Sequence, residues 1–105
     1  MNGTAAAVQD YAAALETFLS ATPLYIEAVL CPPALYLSTA KQSAKTRLKL
    51  GAQNCHDQPK GAFTGEISAA MVKDAGCDYV ILGHSERRAD HGERSSVRFS
   101  FRRVT

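Results

Sequence analysis

The residues best suited to chemistry form the run GHSERR, from Gly83 to Arg88, directly after the apolar residues 79–82. A histidine at the end of a buried strand and the start of a helix faces backbone N–H groups, which disfavour the imidazolium ion. A neutral ring in that place can donate a hydrogen bond to a carbonyl oxygen. The spacing therefore predicts His84 as a candidate catalytic residue, with a structural histidine held by its own loop as the alternative.

Two other predicted strands end in polar groups, one at Cys31 before two prolines and one at Gln53-Asn54. The carboxyl ends of parallel strands meet at one edge of a sheet, where α/β proteins place their chemistry. We therefore expect these residues to lie near His84. His56 stands beside Cys55, but no second ligand pair follows at a suitable spacing, so no metal site is predicted.

The elements that position these residues alternate between helices and short apolar strands. Helical spacing predicts helices over 4–21, 33–43 and 68–73, with Thr4 and Ser68 as N-caps and Gly76 as a left-handed C-cap. Apolar runs predict buried strands over 24–30, 48–53 and 77–83. This order predicts an α/β protein in which helices cover a parallel sheet.

Length and composition place the chain among globular proteins of one domain, with 105 residues of which 46% are hydrophobic and 21% charged. The sequence shows neither an apolar run of about 18 residues nor a basic leader, so we expect a cytoplasmic protein without a membrane partner. The three cysteines are odd in number, scattered along the chain and without a CxxC pair, which argues against a disulfide framework. Cys31, Cys55 and Cys77 are therefore predicted to be reduced thiols.

The charge pattern changes near Glu93. Residues 1–93 hold ten acidic and eight basic side chains, whereas the last twelve residues hold four arginines and no acid. This break predicts a boundary near Glu93, with the α/β segment over 1–93 and a basic tail foreign to it over 94–105. Val97, Phe99 and Phe101 alternate with polar residues, so a short edge strand and a disordered tail that packs against nothing both remain open. The tail lacks a nucleic-acid-binding motif, and no nucleic-acid partner is predicted.

Four segments carry a resemblance to a known family: CPPALYL from Cys31, GAQN from Gly51, GAFTGEIS from Gly61 and YVILGHSERR from Tyr79. In order and spacing they closely resemble triose-phosphate isomerase. The resemblance implies part of a (β/α)8 TIM barrel, about its first half without its first strand. It also implies interconversion of glyceraldehyde 3-phosphate and dihydroxyacetone phosphate in glycolysis and gluconeogenesis, a homodimer, and no cofactor.

The same resemblance implies residue roles. His84 is the neutral electrophile that polarises the substrate carbonyl, and Ser85 and Glu86 organise the site beside it. The remaining implied positions support the site or the dimer: Thr64 at the tip of a loop that enters the partner subunit's site, Glu66 and Arg87 as an ion pair, and Gln53 with Asn54 beneath the histidine.

Several family elements fall outside these 105 residues. The substrate-binding asparagine and lysine would lie upstream of Met1, and the catalytic glutamate, the lid and the phosphate loops belong to the second half of the barrel. We therefore expect the chain alone to be inactive. The alternative function is a non-catalytic fragment that self-associates through an open sheet, with both outer strands unpaired.

Overall fold

The computed structural model describes residues 2–93 and 100–104. The elements occur in the order α1 Ala5–Ser20, β1 Val29–Leu30, a 3-10 turn Ala34–Tyr36, α2 Leu37–Ser43, β2 Lys49–Ala52, α3 Ala69–Asp74, β3 Tyr79–Leu82, α4 Ser85–Asp90 and β4 Ser100–Arg103. None of the helices in these two ranges is long and apolar enough to cross a membrane.

The three predicted helix caps are confirmed, whereas the helix predicted over 33–43 begins as a 3-10 turn and becomes an α-helix only at Leu37. The Thr4 hydroxyl accepts a hydrogen bond from the Ala7 N–H at 3.1 Å, and the Ser68 hydroxyl accepts one from the Met71 N–H at 3.2 Å. Gly76, just after α3, has φ +89°, a left-handed conformation that favours glycine. These three positions fix where α1 begins and where α3 begins and ends.

The first strand is shorter than predicted. Only Val29–Leu30 pairs with the sheet, although the apolar pattern predicted a strand over 24–30. The Ile26 N–H donates to the Pro23 carbonyl at 3.0 Å and forms a turn, which leaves Leu24 87% exposed. The apolar residues after Pro23 therefore lie in an exposed connection between α1 and the sheet.

The sheet has the order β1-β2-β3-β4. β1 pairs with β2 and β2 with β3 in parallel, as the alternation of helices and strands predicts. β4 pairs antiparallel with β3, and Tyr79 lies opposite Arg103 while Leu82 lies opposite Ser100. The chain is thus an α/β protein with an open, mostly parallel sheet, as expected of a partial barrel.

The tail corrects one expectation. The prediction that it packs against nothing is wrong for residues 100–104, because Ser100–Arg103 pairs with β3 and Val104 is 7% exposed in the core. Among the described residues the outer strands of the sheet are β1 and β4, so the third predicted strand, β3, is not an unpaired outer strand as expected, because β4 pairs with it. Residues 94–99 lie outside the described ranges, and the boundary at Glu93 stays a prediction.

Side chains on the two faces of the sheet have different surroundings. Leu50, Ala52 and Val80 point toward the helices and form the main core, together with the buried residues Val8, Leu37, Ala40, Val72, Cys77 and Val104. The alternate residues, including Lys49, Gly51 and Tyr79, occupy the opposite face. A (β/α)8 barrel turns that second face inward, and the carboxyl ends of its strands surround the site.

Candidate active site

A cleft of about 670 Å³ lies at the carboxyl ends of the parallel strands. It is bordered by residues that follow β1, β2 and β3, which confirms that the three polar strand ends converge. Cys31 and Ile81 supply apolar surface. The polar residues around it are Gln53, Asn54, Glu66, His84, Glu86, Arg87, Asp90 and His91.

His84 is the N-cap of α4. Its carbonyl accepts hydrogen bonds from the N–H groups of Arg87 at 2.9 Å and Arg88 at 3.1 Å, which begins the helix. Its ring Nδ1 accepts a hydrogen bond from the Glu86 N–H at 3.2 Å. The strand end and the helix start together fix both the backbone and the ring of this residue.

The contact to Nδ1 determines the tautomer of His84. A nitrogen that accepts an N–H hydrogen bond has no proton of its own, so a neutral ring carries its proton on Nε2. The Glu86 carboxylate lies 3.9 Å from the same Nδ1, beyond hydrogen-bond distance. The backbone contact therefore decides the assignment, and the ring has the form that donates from Nε2.

The ends of β1 and β2 are tied together beneath the cleft. The Gln53 amide donates from Nε2 to the Cys31 carbonyl at 3.0 Å. Asn54 borders the cleft beside Gln53, and the support role that the resemblance implies for these two residues stays a prediction. Gly51 is required here, because a Cβ at that position would lie 2.7 Å from the Cys31 Sγ.

The cleft thiols are poorly suited to act as nucleophiles. Burial raises the pKa of Cys31, and the neighbouring Cys77 raises it further. Burial also raises the pKa of Cys55. Both groups are therefore protonated thiols at neutral pH, whereas nucleophilic attack requires the thiolate. The cleft is better suited to hydrogen-bond and proton-transfer chemistry than to covalent thiol catalysis.

Arg87 has a different ion-pair partner from the one the resemblance implies. Its Nε lies 2.7 Å from the Glu93 Oε1, and both side chains are about one-quarter exposed. Within the described ranges Glu66 forms no ion pair with Arg87, so that expectation is wrong in this structure. Glu66 borders the same cleft.

The loop after β2 is ordered by contacts around His56. The His56 N–H donates to the Ile67 carbonyl at 2.7 Å, and the His56 ring packs against the Phe63 ring with 4.1 Å between centroids and 33° between planes. Thr64 follows Phe63 at the exposed tip of this loop and does not border the cleft. Ser85, also exposed, occupies the first position of α4.

Asp90 and His91 also border the cleft, although no sequence motif singled them out. Residues 84, 87 and 91 are separated by three and four positions, the spacing that places side chains on one face of a helix. This helical spacing in the sequence could have identified His91 as a neighbour of His84 at the cleft. No group of three or more metal-binding side chains occurs in the part of the chain that the structure describes.

The parallel strands, the helices on one face and a histidine cleft at the strand ends define the class: an α/β-barrel enzyme represented by part of its barrel. Residues 1–102 match the family described as triosephosphate isomerase. The chain belongs to that family, whose members are isomerases.

Relatives from three bacteria show the extent of the match. The triosephosphate isomerase of Ruegeria pomeroyi is 50% identical over 95 residues, covering 89% of this chain and 36% of that protein. The enzyme of Aquifex aeolicus is 48% identical over 100 residues, covering 92% and 39%. That of Symbiobacterium thermophilum is 58% identical over 73 residues, covering 69% and 28%. The chain thus spans between 28% and 39% of the length of these relatives.

Proposed function

We propose that this chain supplies the histidine side of a triosephosphate isomerase active site. His84 would donate a hydrogen bond from Nε2 to the carbonyl oxygen of glyceraldehyde 3-phosphate or dihydroxyacetone phosphate. A carboxylate outside these 105 residues would move the proton between the adjacent carbons. The observation that carries the proposal is the Glu86 N–H contact to Nδ1, because it leaves the neutral ring with its proton on Nε2.

The charges around the cleft support the proposal that the chain alone is inactive. Glu66, Glu86 and Asp90 are acidic, and the one cation among the described lining residues, Arg87, is paired with Glu93. A phosphorylated substrate is an anion and needs cationic or N–H donors. Such donors, and the base, would have to come from other parts of a complete enzyme.

The test uses a chimera in which residues 2–93 replace the matched segment of the Ruegeria pomeroyi enzyme. We expect isomerase activity from the chimera and none from the 105-residue chain. In the chimera His84→Gln should lower kcat by about 10²- to 10⁴-fold, the range for loss of a positioned proton-transfer group. His91→Gln, a histidine at the end of α4 with no assigned role, is the matched control.

Two outcomes would contradict this function. A chimera that folds, binds a transition-state analogue and turns over equally well with His84→Gln would remove His84 from the reaction. Turnover by the 105-residue chain that disappears with His84→Gln would show that the missing base and phosphate loops are not required.

The same proposal includes a homodimer formed through the loop that carries Thr64. The contacts of His56 with Phe63 and Ile67 support it, because they hold the exposed tip in one shape before a partner is met. Thr64→Arg in the chimera should convert dimers to monomers on a sizing column, and an unchanged dimer would contradict the assignment. Ala62→Arg, two residues earlier on the same exposed loop, is the control.

Location and pathway complete the proposal: a cytoplasmic enzyme of glycolysis and gluconeogenesis. The three cysteines are all free thiols, which fits a reducing compartment. Fractionation of the source cells should find the protein in the soluble cytoplasmic fraction, and recovery from the periplasmic or membrane fraction would contradict this location.

A further inference from the structure

The loop between β2 and α3 is closed at its base by His56. The His56 N–H donates to the Ile67 carbonyl at 2.7 Å, and the backbone of His56 forms an isolated parallel bridge with Ser68. Ser68 is 5% exposed and is the N-cap of α3. The two ends of the loop are therefore joined to each other and anchored to a buried helix cap.

The His56 ring is held in one orientation. Its Nδ1 lies 3.0 Å from the nitrogen of Gln58, whose N–H donates to it, and 3.2 Å from the Asp57 Oδ1. An unprotonated Nδ1 accepts from Gln58 and a protonated Nδ1 donates to Asp57, so the ring has a polar partner in either state. The His56 side chain is 25% exposed. It thus forms a fixed surface on which another side chain can pack.

Phe63 packs against this ring. The two ring centroids are 4.1 Å apart and the planes are inclined by 33°. Phe63 also lies against Gly61, where a Cβ would be 2.7 Å from the Phe63 Cε2. Contact between aromatic rings contributes attraction beyond the burial of their area. The Phe63 ring is therefore confined by the His56 ring and by the backbone at Gly61.

Thr64 lies in a tight turn that begins at Phe63. The Glu66 N–H donates to the Phe63 carbonyl at 2.9 Å, which closes a four-residue turn with Thr64 and Gly65 at its centre. Gly65 has φ +91°, the left-handed conformation that the third position of a type II turn requires. Where Phe63 lies therefore determines where this turn presents Thr64.

We propose that His56 is a positioning residue of the homodimer: its ring fixes Phe63, and Phe63 fixes the turn that presents Thr64 to a second copy. This inference rests on the homodimer proposed above and adds the residue that sets the shape of the contacting loop. A loop that is already ordered loses less conformational entropy when it meets its partner. His56 acts through Phe63 and not through a contact of its own with the second copy.

The first test compares two replacements of His56 in the chimera that contains residues 2–93, with the dimer Kd measured by sedimentation equilibrium. His56→Asn keeps a side-chain oxygen that can accept from the Gln58 N–H but removes the ring. It should raise the dimer Kd about 5- to 150-fold, the range for losing one aromatic contact in each of two loops. His56→Phe keeps a ring against Phe63 and should leave the Kd close to that of the unaltered chimera. Gln58→Ala, an exposed neighbour bordering the same groove beside His56, is the matched control and should not change the Kd.

Two further measurements test the link through Phe63. In a Phe63→Leu background, His56→Asn should cause no additional rise in the dimer Kd, because the contact is already lost. In the full 105-residue chain, the Glu66 N–H closes the turn, and its hydrogen exchange should accelerate by up to about tenfold with His56→Asn. His56→Phe should leave that exchange rate unchanged.

The outcomes separate the role of His56 from the homodimer itself. A dimer that survives Thr64→Arg overturns the homodimer assignment, and the inference with it. A dimer lost with Thr64→Arg but unaffected by His56→Asn overturns only the role of His56. Equal rises in Kd with His56→Asn and His56→Phe, or an additive rise in the Phe63→Leu background, would also overturn it. If the His56→Asn chimera does not fold, equal Glu66 exchange rates in the full-length chains decide against the inference.

Discussion

One arginine holds the exposed connection between α1 and the sheet, and its replacement should be among the most destabilising single changes in the chain. The guanidinium of Arg47 donates from Nη1 to the Thr22 carbonyl at 2.8 Å and from Nη2 to the Pro23 carbonyl at 2.8 Å and the Ile26 carbonyl at 2.9 Å. It also donates to the carbonyl of Leu19, in the last turn of α1. The side chain thus anchors the end of α1 and the turn that follows it.

The backbone of Arg47 strengthens the same attachment. Its N–H donates to the Glu16 Oε1 at 3.1 Å, and Glu16 also accepts hydrogen bonds from the N–H groups of Thr46 at 3.1 Å and Leu48 at 2.5 Å. Glu16 lies in α1 and residues 46–48 lead into β2. The helix and the strand are therefore joined in both directions, by a carboxylate from α1 and a guanidinium from the segment before β2.

The loss of unfolding free energy expected on replacing Arg47 follows from the number and exposure of its hydrogen bonds. A hydrogen bond from a charged donor contributes about 1.5–3 kcal/mol when buried and less when solvent competes for it. The contact with the Pro23 carbonyl is at the lower end because it is exposed, whereas the other three carbonyl contacts are partly buried. We expect Arg47→Met, which keeps the apolar stem, to reduce the free energy of unfolding by about 3 kcal/mol, a large share of the roughly 5–15 kcal/mol of a small domain.

Urea denaturation followed by far-ultraviolet circular dichroism measures this loss. Arg47→Lys should lose roughly half as much, because an ammonium keeps the charge but lacks the planar fork of donors. Lys45→Met, an exposed position two residues earlier, controls for the loss of one positive charge. A reduction in the free energy of unfolding of less than about 1 kcal/mol for Arg47→Met, or an equal reduction for Lys45→Met, would contradict this role of Arg47.

Three further predictions concern Glu16, His84 and Gly51. Burial alone would raise the pKa of Glu16, but hydrogen bonds from Thr46 and the following N–H groups outweigh it and lower the pKa below 4.5. Its stabilisation is therefore complete above pH 4.5 and is lost as pH falls through the lower folded value, so urea midpoints should drop in acid and Glu16→Gln should flatten that drop. Nitrogen NMR of the neutral His84 ring should show the proton on Nε2, and a proton on Nδ1 would refute the assigned tautomer. Gly51→Ala should cost about 1–3 kcal/mol because its Cβ meets the Cys31 Sγ, and Cys31→Ala should recover part of that loss in the double variant; an additive double variant would contradict the clash.

Local signals predicted the elements best. Thr4 and Ser68 each cap a helix through a residue three positions later, and Gly76 ends α3 through its own backbone conformation. Such features depend on a few neighbouring residues, so sequence is enough to identify them. The strand over 24–30 was overpredicted because apolar composition does not reveal burial, and the turn after Pro23 exposes Leu24.

Pairings between distant residues were harder to predict. The alternation around Phe101 left a strand and an unpacked tail equally open, because a four-residue strand is stable only if it finds an edge, here that of β3. The partner of Arg87 also depended on the path of the chain after α4, which brings Glu93 to its Nε. A resemblance to a family implies residue roles, but the ion-pair partner of a charged side chain depends on the structure that surrounds it.

The site is partly assembled because each strand end is fixed by short-range contacts. The Gln53 amide ties the end of β2 to the Cys31 carbonyl, and the Glu86 N–H orients the His84 ring at the end of β3. Neither contact requires the rest of a barrel. The charge of the cleft is acidic, since Glu66, Glu86 and Asp90 border it. In this chain the geometry of the strand ends is therefore preorganised by contacts near each strand, whereas the phosphorylated substrate proposed above would need cationic groups from outside these residues.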